Sequence, residues 1–471
     1  MLRLLISKKF LVFAVADACL IAFGVWSGLA VRHYGDAETL QYFTSLPDFA
    51  YRLVAVLIAF QLSGYYNGLY ELRQRRTFGD HFFRVCLALG VGCVALACLY
   101  FGIPALRLGR SAFAIAVAIT VFLLAIFRWL IDLVWSSAIS KENVLIVGSN
   151  ELAGEVAEAL ESRPDLNLRL AGFVSDPNLD QASTTDPKPT DPKPTDPIIG
   201  SIADLEGIAA RYQADRVVVA LEAGGGALPI KQLLRLKTRG VRVEDAHSTI
   251  SFLSGRVPVR SMPTSWLVFS DGFRRGRLTM SLKRIIDLAG AVFGLIVSAP
   301  TMLIVALAVK IDSEGAVFYR QQRVGLHGKT FSLEKFRTMR SDAEADGVPR
   351  WSQENDPRVT RLGRFLRKYR FDELPQFLNI IKGEMSFVGP RPERPEFVTT
   401  LSETIPFYEE RHTVRPGLTG WAQVCYPYGS SVEDAVRKLE FELFYLKNVS
   451  ILFDFAILFQ TIRIVLLGRG R

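Results

Sequence analysis

Cysteine is scarce in this chain. Only five occur in 471 residues, and four of them, Cys19, Cys86, Cys93 and Cys98, lie inside apolar runs, leaving Cys425 alone outside. Neither a disulfide framework nor a Cys-His zinc site can be assembled from that set, so the aqueous parts are expected in a reducing compartment. Acidic residues are also in the minority, 47 against 56 Lys and Arg, which gives a formal charge of +9 and a pI near 9.3. That excess would suit nucleic acid, but the basic residues border apolar segments. This points instead to an anionic membrane surface and phosphorylated substrates, with no nucleic-acid partner. A small-residue cleavage site is missing after the first apolar run, which is therefore expected to be an anchor and not a removable signal.

Apolar residues are abundant, at 49% of the chain and a mean hydropathy of +0.22, more than soluble domains carry. Four apolar runs, near 10–31, 50–70, 82–103 and 111–135, each approach the roughly 20 residues needed to cross a bilayer. Arg3, Lys8 and Lys9 precede the first, and Arg73, Arg75 and Arg76 lie between the second and third. The positive-inside rule places both regions in the cytoplasm, and four spans return the chain there near Lys141. Residues 1–140 thus read as a four-helix transmembrane domain.

Residues 141–275 read as a Rossmann-like α/β domain. NVLIVGSNELAGEVAEALESRP gives a buried strand, a glycine turn and a helix, with further strands at LRLAGFVSD and DRVVVAL and a helix over PIKQLLRLKTRG. After Gly148 come Ser149, Asn150 and Glu151, where close approach to a pyrophosphate would require a second glycine. The domain is read as degenerate or regulatory. Its Thr-Asp-Pro-Lys-Pro repeat, from Thr185 to Pro197, is too proline-rich for helix or ladder and reads as an exposed loop.

The remaining residues, 276–471, read as a mixed α/β domain. Residues 285–309 are apolar, with Pro300 near the middle and basic residues at both ends, Lys283 and Arg284 before and Lys310 after. Basic flanks on both sides favour a re-entrant hairpin over a simple span. Strands follow at AVFYRQQRV and TFSLEKFRTM, and they contribute Lys335 and Arg337. RPGLTGWAQV reads as a constrained loop in which Arg415 could bind a phosphate and Trp421 cover a ring. The last apolar segment, interrupted by Asp454 and Arg463, suits a helix lying in the membrane interface.

The stretch 361–395 carries the chemistry. Leu362, Phe365, Leu366 and Tyr369 form the stripe of an amphipathic helix whose other surface is cationic, and the spacing restarts at Leu374 with Pro375 suited to a first turn. Asp372 and Glu373 thus fall at a helix start, where the dipole and nearby cations favour anions. An ionised Asp there can attack phosphorus, and its neighbour can hold a hard cation. An Asp-Glu pair beside arginines is more often a surface ion pair worth about 1 kcal/mol or less, so the surroundings decide between the readings.

Lys335 to Arg337, the Asp-Glu-Leu-Pro-Gln run from Asp372, GEMSFVGPRPERPEF from Gly383 and RPGLTGWAQV from Arg415, taken in order, closely resemble the bacterial sugar transferases. These are monotopic polyprenyl-phosphate phosphoglycosyl transferases with a membrane-hairpin catalytic core, and the resemblance covers roughly residues 280–471. Four spans plus a Rossmann-like (CoA-binding-like) domain resemble the large form of that family. The resemblance implies transfer of a sugar 1-phosphate from a nucleotide diphosphate sugar, a UDP-hexose, to undecaprenyl phosphate with release of UMP. Such a step initiates exopolysaccharide, capsule or O-antigen repeat units at the bacterial inner membrane, with the catalytic domain facing the cytoplasm. It also implies Asp372 as covalent nucleophile, Glu373 as its assistant, and both as contacts of a Mg²⁺ ion. Pro390, Arg391 and Pro392 match the family's Pro-Arg-Pro motif, and Arg391 is assigned by charge to phosphate binding with Lys335, Arg337 and Arg415. Where the family has Ser directly before the hairpin proline, this chain has Ala299. A homo-oligomer stays open. Rival readings are a membrane-bound nucleotide-sugar dehydratase or epimerase, a scaffold for polysaccharide assembly, and a polytopic transferase without covalent catalysis.

Overall fold

The computed structural model describes residues 8–34, 47–67, 69–70, 78–138, 141–163, 166–175, 198–221, 228–270, 272–273, 276–340, 343, 356–426, 429 and 431–466. Arg3, Arg73, Arg75, Arg76 and the repeat from Thr185 to Pro197 lie outside the described residues. The apolar runs form α1 (Lys8–Arg32), α2 (Pro47–Tyr66), α3 (Phe78–Gly102) and α4 (Arg110–Ala138), each long and apolar enough to cross a membrane. Small residues set how closely α1 and α4 pack: a methyl group at Gly28 would sit 2.6 Å from the Ala112 carbonyl oxygen. Ile21, Val25, Val56, Phe60, Leu89 and Leu124 fill the bundle. Inside it Arg128 pairs with Asp17 at 2.5 Å and donates to the Leu69 carbonyl, so both charges have partners away from lipid.

The second domain runs β1 (Glu142–Val147), α5 (Glu151–Glu161), β2 (Leu168–Val174), β3 (Ile198–Gly200), α6 (Leu205–Arg211), β4 (Arg216–Val219), α7 (Ile230–Thr238), β5 (Arg242–Asp245) and α8 (Ala246–Ser254). Its strands form one parallel sheet in the order β3-β2-β1-β4-β5. Successive residues of β1 point to opposite faces. Val144 and Ile146 pack with Leu152, Val156 and Ile250 on one side, while Leu145 and Val147 pack with Leu205, Ile208 and Leu233 on the other. Two-sided burial is why β1 reads as an unbroken apolar run.

The segment after α8 does not behave as a linker. Val257, Val259 and Met262 are buried in one cluster with Leu439, Leu443, Tyr445 and Phe453. Arg256 pairs with Glu440 at 2.8 Å, and the Val257 amide donates to the Glu440 carbonyl. By packing, residues 255–270 and 272–273 belong with the third domain, so a cut at 275/276 divides a shared core. That domain continues through α9 (Thr264–Phe269), α10 (Arg277–Asp312), β6 (Phe318–Val324), β7 (Thr330–Phe336), α11 (Arg361–Lys368), a 3-10 turn (Phe371–Gln376), α12 (Phe377–Lys382), β8 (Ser386–Val388), α13 (Pro395–Thr404), a second 3-10 turn (Tyr408–Thr413), β9 (Gly417–Thr419), α14 (Trp421–Cys425), α15 (Val432–Lys447) and α16 (Ile451–Leu466).

Helix α10 is one continuous helix of 36 residues with Pro300 inside it, at the place where a re-entrant hairpin bending at the proline is expected. The proline removes one helical hydrogen bond without ending the helix. Both ends are nonetheless fastened to the same domain. Near the start, Lys283 donates to Asp454 and to the Val388 carbonyl, Arg284 donates to the Ile380 and Ile381 carbonyls, and Asp287 accepts from the Phe387 amide. Near the end, Val305 and Val309 pack on Phe336 and Leu366.

Candidate active site

Strand β7 pairs antiparallel with β6 and presents Lys335. Asn379 fixes the 3-10 turn and α12 against that strand: its amide donates to the Ser332 carbonyl and its oxygen accepts from the Glu334 amide. Helix α11 is capped by Thr360, whose hydroxyl accepts from the Gly363 amide, and a methyl group at Gly363 would collide with the Thr338 carbonyl. That close approach lets Arg367 donate to the Thr338 hydroxyl at 2.9 Å. Arg370 then adopts a left-handed backbone, φ 55°, which ends α11 and starts the 3-10 turn that carries Asp372 and Glu373. Both acids therefore sit in a first helical turn, as the spacing suggests, although Pro375 falls inside the 3-10 turn and not at a new helix start.

Three cations from three elements converge on Glu373. Lys335 and Arg391 donate to one carboxylate oxygen at 3.4 and 3.3 Å, and Arg370 donates to the other at 3.2 Å. Asp372 is equally buried, at 7% exposure, yet no hydrogen bond from the described residues reaches its carboxylate. The two acids are driven apart electrostatically. Burial, with Glu373 alongside, pushes the Asp372 carboxyl above the ordinary range against the pull of Lys335, Arg367 and Arg391. Burial acts on Glu373 in the same direction, but Arg370, Lys335 and Arg391 outweigh it and hold Glu373 well below that range. Such a pair supplies one carboxylate held ionised by its cations and one more basic oxygen donor that no described residue hydrogen-bonds.

Of the residues singled out from the sequence, Asp372, Glu373, Lys335 and Arg391 meet here. Arg337 does not: it donates to the Ser313 and Glu314 carbonyls and so satisfies the C-terminal end of α10. Arg415 donates instead to the Gly383 carbonyl at the end of α12. Trp421 covers no open site either; it packs on Phe444 and Phe453 and donates to the Gly255 carbonyl. Arg370 and Arg367 join the site, although as part of the cationic surface of α11 they gave no sign of facing it.

Among the described residues no three His, Cys, Asp or Glu side chains gather into a cation cage. Mg²⁺ in phosphoryl-transfer sites needs no cage, being held by one or two carboxylates plus substrate phosphates. The uncommitted Asp372 oxygens fit that mode. Glu373, with both oxygens on cations, is the weaker ligand.

Two buried carboxylates, one of them held by three convergent cations, thus sit on a turn packed against a long apolar helix. Comparison with known proteins places the chain in a family. The bacterial sugar transferase family model matches residues 278–468, and the CoA-binding domain model matches residues 66–235. The chain is 44% identical to the UDP-N-acetylgalactosamine-undecaprenyl-phosphate N-acetylgalactosaminephosphotransferase of Aeromonas hydrophila over 40% of this chain and 44% of that protein. It is 32% identical to the undecaprenyl-phosphate glucose phosphotransferase of Komagataeibacter xylinus over 69% of this chain and 59% of the relative. Identity is also 32% with the UDP-glucose:undecaprenyl-phosphate glucose-1-phosphate transferase of Escherichia coli, over 69% of this chain and 67% of the relative. The match thus spans less than two thirds of the first two relatives. The chain belongs to the bacterial sugar transferase family.

Proposed function

We propose that this chain transfers a hexose 1-phosphate from a UDP-hexose to undecaprenyl phosphate and releases UMP, through a phosphosugar-aspartyl intermediate on Asp372. The observation that carries this reading is the unbonded Asp372 carboxylate beside a Glu373 held by Lys335, Arg370 and Arg391. An Asp372 oxygen attacks the β-phosphorus of the donor; the bond from that phosphorus to the bridging oxygen breaks, and UMP leaves with the electron pair. An oxygen of undecaprenyl phosphate then attacks the same phosphorus and the Asp372 carboxylate departs, leaving a lipid-linked diphosphosugar. Glu373 keeps Lys335 and Arg391 aimed at the incoming phosphates. Mg²⁺, when bound by Asp372 with the donor phosphates, supplies charge neutralisation that lets an anionic carboxylate approach.

The lipid acceptor and the water-soluble donor must meet at the membrane surface, and α10 supports that placement. From Ala291, packed on Ile380 and Met385, to Val305, packed on Phe336, the helix rises about 21 Å at 1.5 Å per residue, less than the ~30 Å of a bilayer core. Although α10 is itself long and apolar enough to cross a membrane, a helix tied at both ends to one domain, with Pro300 between the two attachments, is read as entering the membrane, bending at the proline and leaving by the same face. Basic flanks on both sides support the cytoplasmic side of a bacterial inner membrane as that face. The product suits the first step of exopolysaccharide, capsule or O-antigen assembly. The test is to supply membranes containing the chain with undecaprenyl phosphate and a panel of UDP-hexoses and to measure UMP. Release with one or more donors is expected, and none with any donor would overturn the reading.

A further inference from the structure

The loop that presents Arg391 is held at nearly every backbone group. On one side the Gly417 amide donates to the Pro390 carbonyl. On the other, Arg323 donates to the Pro392 carbonyl at 2.9 Å and the Val324 amide to the Glu393 carbonyl at 2.9 Å. The Arg391 peptide itself is held by a different pair. Its amide donates to Glu442 on α15 at 3.3 Å, and its carbonyl accepts from Arg411 at 2.8 Å. Arg411 also donates to the same Glu442 oxygen at 2.8 Å and to the Tyr408 hydroxyl, and all three side chains are buried. Beyond that peptide, the Arg391 guanidinium is the group that reaches Glu373.

A buried ion pair is a poor device for stability, since apolar residues of similar volume often serve as well. It is a good device for fixing direction. Arg411 has a planar fork of donors, and here it spends two of them on groups that lock one peptide: the Arg391 carbonyl and the carboxylate that accepts the Arg391 amide. Resting on the reading of Arg391 as a donor-phosphate ligand, we infer that Arg411, fixed by Glu442, is a positioning residue. It aims Arg391 at the phosphates of the nucleotide sugar and touches no substrate itself.

The test compares wild type with Arg411→Lys and with the double variant Arg411→Met plus Glu442→Gln, which removes both buried charges together. All are the full chain in detergent. UDP binding is measured by calorimetry, and KM for the UDP-hexose is measured separately from KM for undecaprenyl phosphate. In the double variant UDP affinity and donor KM should each worsen about tenfold or more, as when a charge-assisted hydrogen bond is lost. The lipid KM and the melting temperature should stay near wild type, and Arg411→Lys should recover part of the donor loss. A folded double variant with wild-type UDP affinity and donor KM would overturn the inference, as would equal worsening toward both substrates. Should the double variant fail to fold, Glu442→Gln alone carries the test, with about threefold weaker UDP binding expected and none contradicting it. A wild type that binds UDP but releases no UMP would sink the proposed function while leaving the UDP comparison valid.

Discussion

Two turns in this molecule look alike on paper and differ in what they leave unspent. At Gly148 a strand ends in a positive-φ residue, and Glu151 opens a helix; at Arg370 a helix ends in a positive-φ residue, and Asp372 and Glu373 open a 3-10 turn. In the first turn local bonds consume the polar groups: the Asn150 side chain caps the Ala153 amide, and the Ser149 hydroxyl bonds Ser175. Gly148 itself is required for packing, because a methyl group there would meet the Ala220 carbonyl at 2.5 Å. In the second turn cations from β7, α11's end and the loop after β8 all fall on Glu373, and among the described residues none hydrogen-bonds the Asp372 carboxylate. The proposed chemistry on Asp372 rests on that difference in unspent hydrogen-bonding capacity.

Substitution should separate the two turns widely. Asp372→Asn keeps the shape and removes the anionic oxygen proposed to attack phosphorus, so UMP release should fall by on the order of a thousandfold or more. Residual turnover near wild type would put the chemistry elsewhere. Glu373→Gln should cost on the order of a hundredfold, the scale of removing one aimed electrostatic contact, because Lys335, Arg370 and Arg391 lose the charge that gathers them. A loss as large as that of Asp372→Asn would mean the roles of the two acids are not divided as described. At the other turn, Asn150→Ala should cost about 1 kcal/mol of stability through its lost cap and leave transfer unchanged. Thermal melts and UMP assays together check this, and a collapse of transfer would give the Rossmann-like domain a part in catalysis.

The smallest effect concerns the turn beside Arg411, whose guanidinium holds the Arg391 carbonyl. Burial and then Arg411 hold the His412 ring down to about 4, from an ordinary 6.5. The folded chain thus resists a proton that the unfolded chain accepts. Stability from this group is complete above pH 6.5 and is lost as pH falls through 4. His412→Gln should flatten that part of the acid unfolding curve, and an unchanged curve would remove the effect.

Much of this was visible before the fold. Length and hydropathy marked α1 to α4, and the two-faced apolar run marked β1 because burial on both sides of a parallel strand writes itself into consecutive residues. Helical spacing put Asp372 and Glu373 at a helix start. Lys335 and Arg391 came from motif and charge, and both reach Glu373. What stayed hidden depended on backbone direction and on competition for partners. Arg337 and Arg415 carry the right charge, but carbonyls at the ends of α10 and α12 engage them. Arg370 could not be seen to face the site, because only its left-handed backbone turns the chain so that it reaches Glu373. Strand β3, of three residues, is too short for periodicity to register, and β5, Arg242–Asp245, is only partly buried and carries three charged residues in four, so it lacks the apolar run that marks β4. The cut at 275/276 missed Val257 and Val259 because nothing local tells which domain a buried valine joins.

The central claim is that Asp372 becomes covalently loaded by the donor before the lipid arrives. Incubating the purified chain with a UDP-hexose carrying label in the β-phosphate, without undecaprenyl phosphate, and locating the label by peptide mass spectrometry tests it most directly. One equivalent on the peptide containing Asp372, discharged by undecaprenyl phosphate and absent in Asp372→Asn, is the result this account predicts. No adduct in a preparation that transfers the sugar phosphate once both substrates are present would contradict it and leave direct attack by the lipid phosphate.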